Sequence, residues 1–223
     1  AGLTPNQVTA ISAGFTFSGV ALLAVLGPSA ISAAVVTAAL VIGYAFDSAD
    51  GQVARLRGGG SPSGEWLDHV VDCIKTSMLP LALLIGYYRA DVLDAVWLLV
   101  PLAATVVSSA HFFGMILTEQ LRRQHGRASS AAAGPRGSLV RSILVLPTDY
   151  GVLCLSFGLL GMPGVFMAVF TVITVLTAGY TALALPKWFR ELRDLRPAPS
   201  PALHASGAVG GDAAGVRVDP ERA

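Results

Sequence analysis

No aspartate, glutamate, lysine or arginine precedes Asp47 in the chain. An uncharged stretch of this length is about twice what a transmembrane helix needs, since about 20 apolar residues span a bilayer. Gly27-Pro28-Ser29 interrupts the stretch and divides it into two segments of spanning length. Charged residues make up only 13% of the whole sequence, against about 25% in soluble domains. The sequence therefore predicts an integral membrane protein.

Apolar segments of the same kind recur along the chain and predict an all-α membrane domain with six transmembrane helices, because a helix satisfies its own backbone hydrogen bonds in lipid. Their approximate limits are residues 8–26, 31–46 with a charged extension to 56, 64–88, 95–118, and two segments within 142–186 divided at 161–164. Residues 191–223 are rich in proline, alanine, glycine and serine. They are predicted to form a disordered cytoplasmic tail behind a membrane domain of residues 1–190.

Basic residues lie almost entirely on one side of this topology. They follow the second, fourth and sixth spans, whereas the opposite loops offer only Arg89. The positive-inside rule places the basic side, and with it both termini, in the cytoplasm. We therefore expect a multi-pass protein of the plasma membrane. A net charge of +1 argues against a nucleic-acid partner, which requires a basic excess.

Four aspartates lie in or next to the predicted spans, where an ionisable side chain is costly and usually functional. Asp47 and Asp50 are three residues apart, Asp68 and Asp72 are four apart, and a short connection joins their helices. Each pair therefore lies on one helix face, and the two pairs meet near the membrane surface. Carboxylates so close together repel one another, and cation binding relieves the repulsion. Oxygen ligands suit Mg²⁺, Mn²⁺ or Ca²⁺, and four aspartates can hold two such ions.

The residues between the two pairs favour a metal-bound diphosphate as the ligand. Gly51 lies inside a predicted helix, where glycine costs about 1 kcal/mol relative to alanine, and with Ala54 it leaves room for a ligand near the backbone. Arg55 supplies a cation that can bind phosphate oxygens through two hydrogen bonds. The Gly-Gly-Gly-Ser sequence at 58–61 adds backbone N–H groups and a hydroxyl.

The pattern Asp47-x2-Asp50-Gly51-x2-Ala54-Arg55-x8-Gly64-x3-Asp68-x3-Asp72 resembles, position for position, the signature of the CDP-alcohol phosphotransferase family. The segment Thr4-Pro5-Asn6-Gln7-Val8-Thr9 is similar to the one that opens the family's first transmembrane helix. The resemblance implies six spans, a homodimer and a site that faces the cytoplasm. It also implies transfer of a substituted phosphate from a CDP-linked donor to an alcohol in phospholipid biosynthesis, with release of CMP. The expected donor is CDP-diacylglycerol, and a soluble CDP-alcohol is the alternative.

Carried over residue by residue, the resemblance assigns Mg²⁺ or Mn²⁺, expected as two ions, to Asp47, Asp50 and Asp68. Asp72 would complete the metal site and act as the catalytic base on the acceptor hydroxyl. The residues expected to contact the CDP part are Pro5, Asn6, Gln7, Gly51, Ala54, Arg55, Ser61 and Gly64.

The sequence leaves the alcohol acceptor open. The connection at 57–61 looks like that of the actinobacterial phosphatidylinositol phosphate synthases, but Cys73 follows the last motif aspartate where those enzymes commonly have arginine. A phosphorylated acceptor, such as inositol phosphate or glycerol phosphate, is expected to use basic residues of the cytoplasmic side. The candidates are Lys75, Arg122, Arg123 and Arg141. Another polyol or an amino alcohol would not need them.

A cation-binding transporter is the alternative from another functional class, since it too would place acidic residues in membrane helices. Transporters usually contain inverted repeats and helices broken near the bilayer midplane. The sequence shows no internal repeat, and its aspartates lie near one predicted membrane surface. An enzyme is therefore the favoured interpretation.

Overall fold

The computed structural model describes residues 2, 4–127 and 149–195, and every regular element in these residues is a helix. The helices are α1 (Pro5–Val25), α2 (Ala30–Leu56), α3 (Pro62–Ala90), α4 (Leu99–Gln124), α5 (Tyr150–Ser156) and α6 (Pro163–Arg193). Short 3₁₀ turns precede α4 at Ala95–Leu98 and follow α5 at Phe157–Leu159. The all-α prediction is confirmed for this part of the chain.

Five of these segments are long and apolar enough to cross a membrane: α1, α2, α3, Ala95–Gln124 and α6. The protein is therefore a multi-pass membrane protein. The fifth predicted span corresponds in the described residues to the shorter apolar helix Tyr150–Leu159. Its expected beginning falls within residues 128–148, which lie outside the described part of the chain, as does most of the predicted tail, residues 196–223. The count of six spans stays a prediction.

The first three helices begin at side-chain caps that the local sequence supplies. Thr4 accepts a hydrogen bond from the backbone N–H of Gln7, and the Gln7 side chain accepts one from the backbone N–H of Thr4. Ser61 caps α3 by accepting from the backbone N–H of Gly64 at 3.1 Å, with Pro62 in the first turn. Such caps satisfy backbone donors that a helix start leaves unpaired. They fix the first turns of α1 and α3.

Glycines bring α1 unusually close to α2 and α3. A Cβ atom on Gly43 of α2 would lie 2.2 Å from Thr16 Oγ1, and one on Gly86 of α3 would lie 2.3 Å from the carbonyl oxygen of Leu23. Ser12 donates a hydrogen bond of 2.8 Å to the carbonyl oxygen of Gly43 across the α1–α2 contact. Because α1 runs antiparallel to α2 and parallel to α3, this packing holds its first turn beside the end of α2 and the start of α3.

Candidate metal centre

The four aspartates of the sequence motif converge where α2 ends and α3 begins. We refer to Asp47, Asp50, Asp68 and Asp72 as the carboxylate cluster. Ligand oxygens of Asp47, Asp50 and Asp68 all lie within 4.8 Å of one another. Ligand atoms of Asp68, His69 and Asp72 form a second group within the same limit. Asp68 belongs to both groups, so the two candidate cation positions are adjacent.

The donor atoms of the first group fit a hard divalent cation. Oxygens bound to one Mg²⁺ lie about 2.1 Å from it and hence no more than about 4.2 Å apart. The oxygens of Asp47, Asp50 and Asp68 are close to that spacing already. Three carboxylates and no sulfur ligand are the donor set that Mg²⁺ and Mn²⁺ prefer. The residues present therefore fit the ions expected from the sequence.

Asp50 is the most deeply placed member of the cluster, with 8% of its surface exposed. Its Oδ2 accepts a hydrogen bond of 2.7 Å from the hydroxyl of Thr9, which is itself buried on α1. A buried carboxylate needs such a partner when it has no ion. Sequence reasoning did not assign Thr9 to the site, because the two residues are 41 positions apart and only the packing of α1 brings them together.

Lys75 lies in the cluster, with 3% of its surface exposed. Its ammonium is 2.7 Å from Asp47 Oδ1 and 2.5 Å from Asp72 Oδ1, so it joins one carboxylate of α2 to one of α3. The ammonium also lies 5.3 Å from the centroid of the Tyr150 ring, within the range of a cation–π contact.

The residues expected to contact CDP come from three chain segments that meet at this end of the bundle. A Cβ on Gly64 would lie only 2.9 Å from Asn6 Oδ1, so glycine at 64 lets the start of α1 approach the start of α3. Over Gly51, by contrast, an added Cβ would meet only Arg55 Nη1, at 3.8 Å. The face of α2 at Gly51 is therefore open, which is compatible with the diphosphate slot expected from the sequence. The remaining members, Pro5, Gln7, Ala54 and Ser61, lie in the same helix ends.

The arginines expected near an acceptor phosphate have carboxylate partners. Arg122 pairs with Glu191 of α6. Arg123 pairs with Glu65 of α3 at 2.6 Å and with Glu119 one turn earlier at 3.4 Å. These ion pairs tie the end of α4 to its two neighbours. Arg141 lies outside the described residues.

A cavity of about 300 Å³ leads from the carboxylate cluster into the bundle between α3, α4, α5 and α6. Asp47, Asp72 and Lys75 line the end of the cavity that belongs to the cluster. Most of its wall is apolar, with Phe112 and Ile173 among the lining residues. Asp149 also lines it, and its Oδ1 accepts hydrogen bonds from the backbone N–H groups of the first turn of α5. A reactant in this cavity would reach Asp72 directly.

The fold and the site together define an integral membrane protein with a candidate divalent-cation centre at one end of its helical bundle. The chain belongs to the CDP-alcohol phosphatidyltransferase family, whose sequence model matches residues 2–183. This match confirms the resemblance carried by the aspartate motif, and it favours the enzyme over the transporter. A phosphatidylinositol phosphate synthase of Corynebacterium glutamicum is 41% identical over 110 residues. That alignment spans about half of each protein, 48% of this chain and 48% of the relative.

Two crystal structures of phosphatidylinositol phosphate synthase from Mycobacterium tuberculosis share the fold. The one with CDP-DAG bound gives a TM-score of 0.56 at 21% identity, over 82% of this chain and 87% of that one. The one in complex with manganese and citrate gives a TM-score of 0.54 at 22% identity, over 82% and 83%. At these identities the likeness establishes a common helical architecture.

Proposed function

We propose that the chain transfers a substituted phosphate from a CDP-linked donor to the hydroxyl of an alcohol and releases CMP. CDP-diacylglycerol is the proposed donor, because CDP-DAG is bound in a structure of the same fold. The observation that carries the proposal is the convergence of Asp47, Asp50 and Asp68, whose ligand oxygens lie within 4.8 Å of one another, inside a chain of this family.

Asp47, Asp50 and Asp68 would hold a divalent cation, with Asp68, His69 and Asp72 offering a second position. Two Mg²⁺ ions are proposed, and Mn²⁺ should replace them, since manganese occurs in a structure of the same fold. Bound cations would offset the charge of the diphosphate and of departing CMP. Thr9 orients Asp50 for this task through its hydrogen bond of 2.7 Å.

The CDP part would lie over the open face of α2. Gly51 and Ala54 leave the space, and the exposed Arg55 has its guanidinium beside Gly51, where it can hold phosphate oxygens. Asn6 lies beside Gly64 at the junction of α1 and α3. Pro5, Gln7 and Ser61, in the neighbouring first turns, would close the nucleotide site from that side.

The acceptor alcohol would approach through the cavity, where Asp72 can take the proton of its hydroxyl. A phosphorylated acceptor would draw on Arg122, Arg123 and Arg141, and the first two would then exchange or share their glutamate partners. Inositol phosphate is the leading acceptor of this kind, since a relative that is 41% identical over half of the chain is a phosphatidylinositol phosphate synthase.

The orientation proposed for this enzyme follows the arginine distribution. Both termini and the carboxylate cluster would face the cytoplasm, with six spans in the plasma membrane and two copies of the chain forming a homodimer. Arg122 and Arg123 at the end of α4, and Arg190 and Arg193 at the end of α6, lie in terminal helical turns, as the positive-inside rule expects.

The test is CMP release by the purified, detergent-solubilised protein supplied with CDP-diacylglycerol, Mg²⁺ or Mn²⁺ and a panel of alcohols. Asp68→Asn keeps the shape of the side chain and removes a ligand shared by both cation positions. Loss of a residue that only hydrogen-bonds to a metal ligand lowers metal affinity or activity about 10–100-fold. Loss of this shared ligand itself should therefore reduce CMP release by more than a hundredfold.

Asp94→Asn is the matched control, because Asp94 is exposed beyond the far end of α3 and makes no capping hydrogen bond. It should leave CMP release unchanged, and excess chelator should abolish the activity of both the control and the wild type. Full activity of Asp68→Asn, or activity that survives the chelator, would contradict the proposal. A wild-type protein that neither releases CMP nor responds thermally to CMP would support the cation transporter instead.

A further inference from the structure

Lys75 is an unusual component of a cation site, because it brings a positive charge into direct contact with residues that would bind metal. Its side chain is buried, and its ammonium touches Asp47 on α2 and Asp72 on α3 at 2.7 and 2.5 Å. A charge so placed is costly unless it is paired and hydrogen-bonded. Both carboxylates are therefore needed to hold Lys75, and Lys75 in turn fixes the distance between them.

Its surroundings argue against a role in binding an acceptor phosphate. Two carboxylate oxygens already engage the ammonium, and the Tyr150 ring lies 5.3 Å away on the cavity side. Carboxylates engage two of the three N–H donors of the ammonium, so at most one is left for a phosphate. The contact with Asp72 stays within α3, whereas the contact with Asp47 crosses to α2, so the ammonium links the two carboxylates across the helix interface.

We propose that Lys75 is a positioning residue, which braces the proposed base Asp72 against the metal ligand Asp47 and limits how tightly the cluster holds its cations. The inference rests on the proposed function, since it assigns Lys75 a task in that reaction. When all four aspartates are ionised to bind cations they carry four negative charges, and the Lys75 ammonium offsets one of them. A site with less negative charge binds a cation less tightly, which lets the metal-bound diphosphate and CMP exchange.

Lys75→Met should distinguish a positioning residue from an acceptor ligand and from a structural ion pair. Lys75→Met keeps the length of the apolar side chain and removes the charge. Mn²⁺ should then bind about tenfold more tightly, because a like charge a few ångströms from the ion is gone. The kcat for CMP release should fall by about 10–100-fold, since Asp72 loses its brace and small displacements of a catalytic group are that costly. The KM for the acceptor should not change.

The experiment measures Mn²⁺ binding by electron paramagnetic resonance titration, and kcat and KM by CMP release, on the same detergent-solubilised samples. Lys187→Met is the matched control, because Lys187 is the only other lysine of the chain and its side chain is 66% exposed on α6. It should behave as wild type in both assays. Lys75→Arg retains the charge and two-carboxylate geometry, so it should restore wild-type Mn²⁺ affinity and most of kcat.

Two results would overturn the inference. An unchanged kcat with a raised KM for a phosphorylated acceptor would make Lys75 an acceptor ligand. A lowered melting temperature with unchanged or weaker Mn²⁺ binding would make it a structural ion pair. If Lys75→Met does not fold, Lys75→Gln, which keeps hydrogen-bond donors without the charge, makes the same comparison. The Mn²⁺ titration needs no turnover, so it tests Lys75 independently of the activity. If the wild type bound Mn²⁺ but released no CMP, that result would contradict only the proposed function.

Discussion

Replacing Thr9 by valine removes one hydroxyl from the candidate metal centre while keeping the shape of the side chain. That hydroxyl donates to Asp50 Oδ2 at 2.7 Å, and its alternative acceptor, the carbonyl oxygen of Pro5, is farther away at 3.2 Å. Thr9 is 4% exposed and Asp50 is 8% exposed, so water cannot readily replace the lost donor. A hydrogen bond to a charged group contributes about 1.5–3 kcal/mol.

The expected consequence is weaker metal binding. Without its donor the Asp50 carboxylate can rotate away from the position that Asp47 and Asp68 require. Loss of an outer partner of a metal ligand costs about 10–100-fold in affinity, which corresponds to about 1.4–2.7 kcal/mol and agrees with the value of the hydrogen bond. The Kd for Mn²⁺ should therefore rise by about 10–100-fold in Thr9→Val, as measured by electron paramagnetic resonance titration.

Thr9→Ser is the control, because it keeps the hydroxyl and loses only a buried methyl group. It should lower the melting temperature somewhat, since removing a buried methyl group costs about 1 kcal/mol, yet bind Mn²⁺ nearly as well as the wild type. If Thr9→Val binds Mn²⁺ with wild-type affinity, or if Thr9→Ser loses as much affinity as valine, the hydrogen bond does not orient Asp50 and the reasoning is wrong.

Two further predictions concern glycines. Gly51→Leu should abolish the thermal stabilisation by CMP but leave the unliganded protein as stable as wild type, because an added Cβ meets only Arg55 Nη1 at 3.8 Å and leucine favours the helix by about 0.8 kcal/mol. The control Gly14→Leu, on an open face of α1, should keep the CMP response. A wild-type CMP response of Gly51→Leu would refute the placement of CDP at Gly51. Gly86→Ala should destabilise the protein by about 1–3 kcal/mol, since its Cβ would lie 2.3 Å from the carbonyl oxygen of Leu23. Thermal unfolding in detergent measures this destabilisation. The control Gly179→Ala, where the added atom meets nothing within 4 Å, should not destabilise the protein. Equal melting temperatures of Gly86→Ala and the wild type would show that α1 can move away.

The parts of the site that the sequence predicts are those set by local geometry. Asp47 with Asp50, and Asp68 with Asp72, share helix faces by their spacing alone, and the short connection between their helices makes the two pairs neighbours. Ser61 is a different case. Its contact with CDP stays a prediction, whereas the structure shows it capping α3, a role that is typical of serine before a proline.

The contacts that the sequence could not predict depend on how distant helices pack. The segment from Thr4 to Thr9 places the start of α1 near the site by resemblance, but the contact of Thr9 with Asp50 depends on the close packing of α1 at Gly43 and Gly86. Lys75 lies one turn beyond Asp72, so its pairing with that residue could have been anticipated. Its bond to Asp47 depends on the packing of α2 against α3. Glu191 and Glu65, which pair with Arg122 and Arg123, lie on other helices, and a list of basic residues does not reveal these contacts.

The two halves of the bundle supply different parts of the site, and this affects how such a protein can evolve. Every residue of the carboxylate cluster comes from α2 or α3, whereas Val107, Phe112 and Ile173 line the cavity from α4 and α6. A mutation in the cavity wall can therefore change which molecule fits while the carboxylates keep their positions. After gene duplication, one copy can acquire a new acceptor through the last three helices and inherit its metal chemistry intact. A mutant library confined to those wall positions is the corresponding laboratory route to altered acceptor choice.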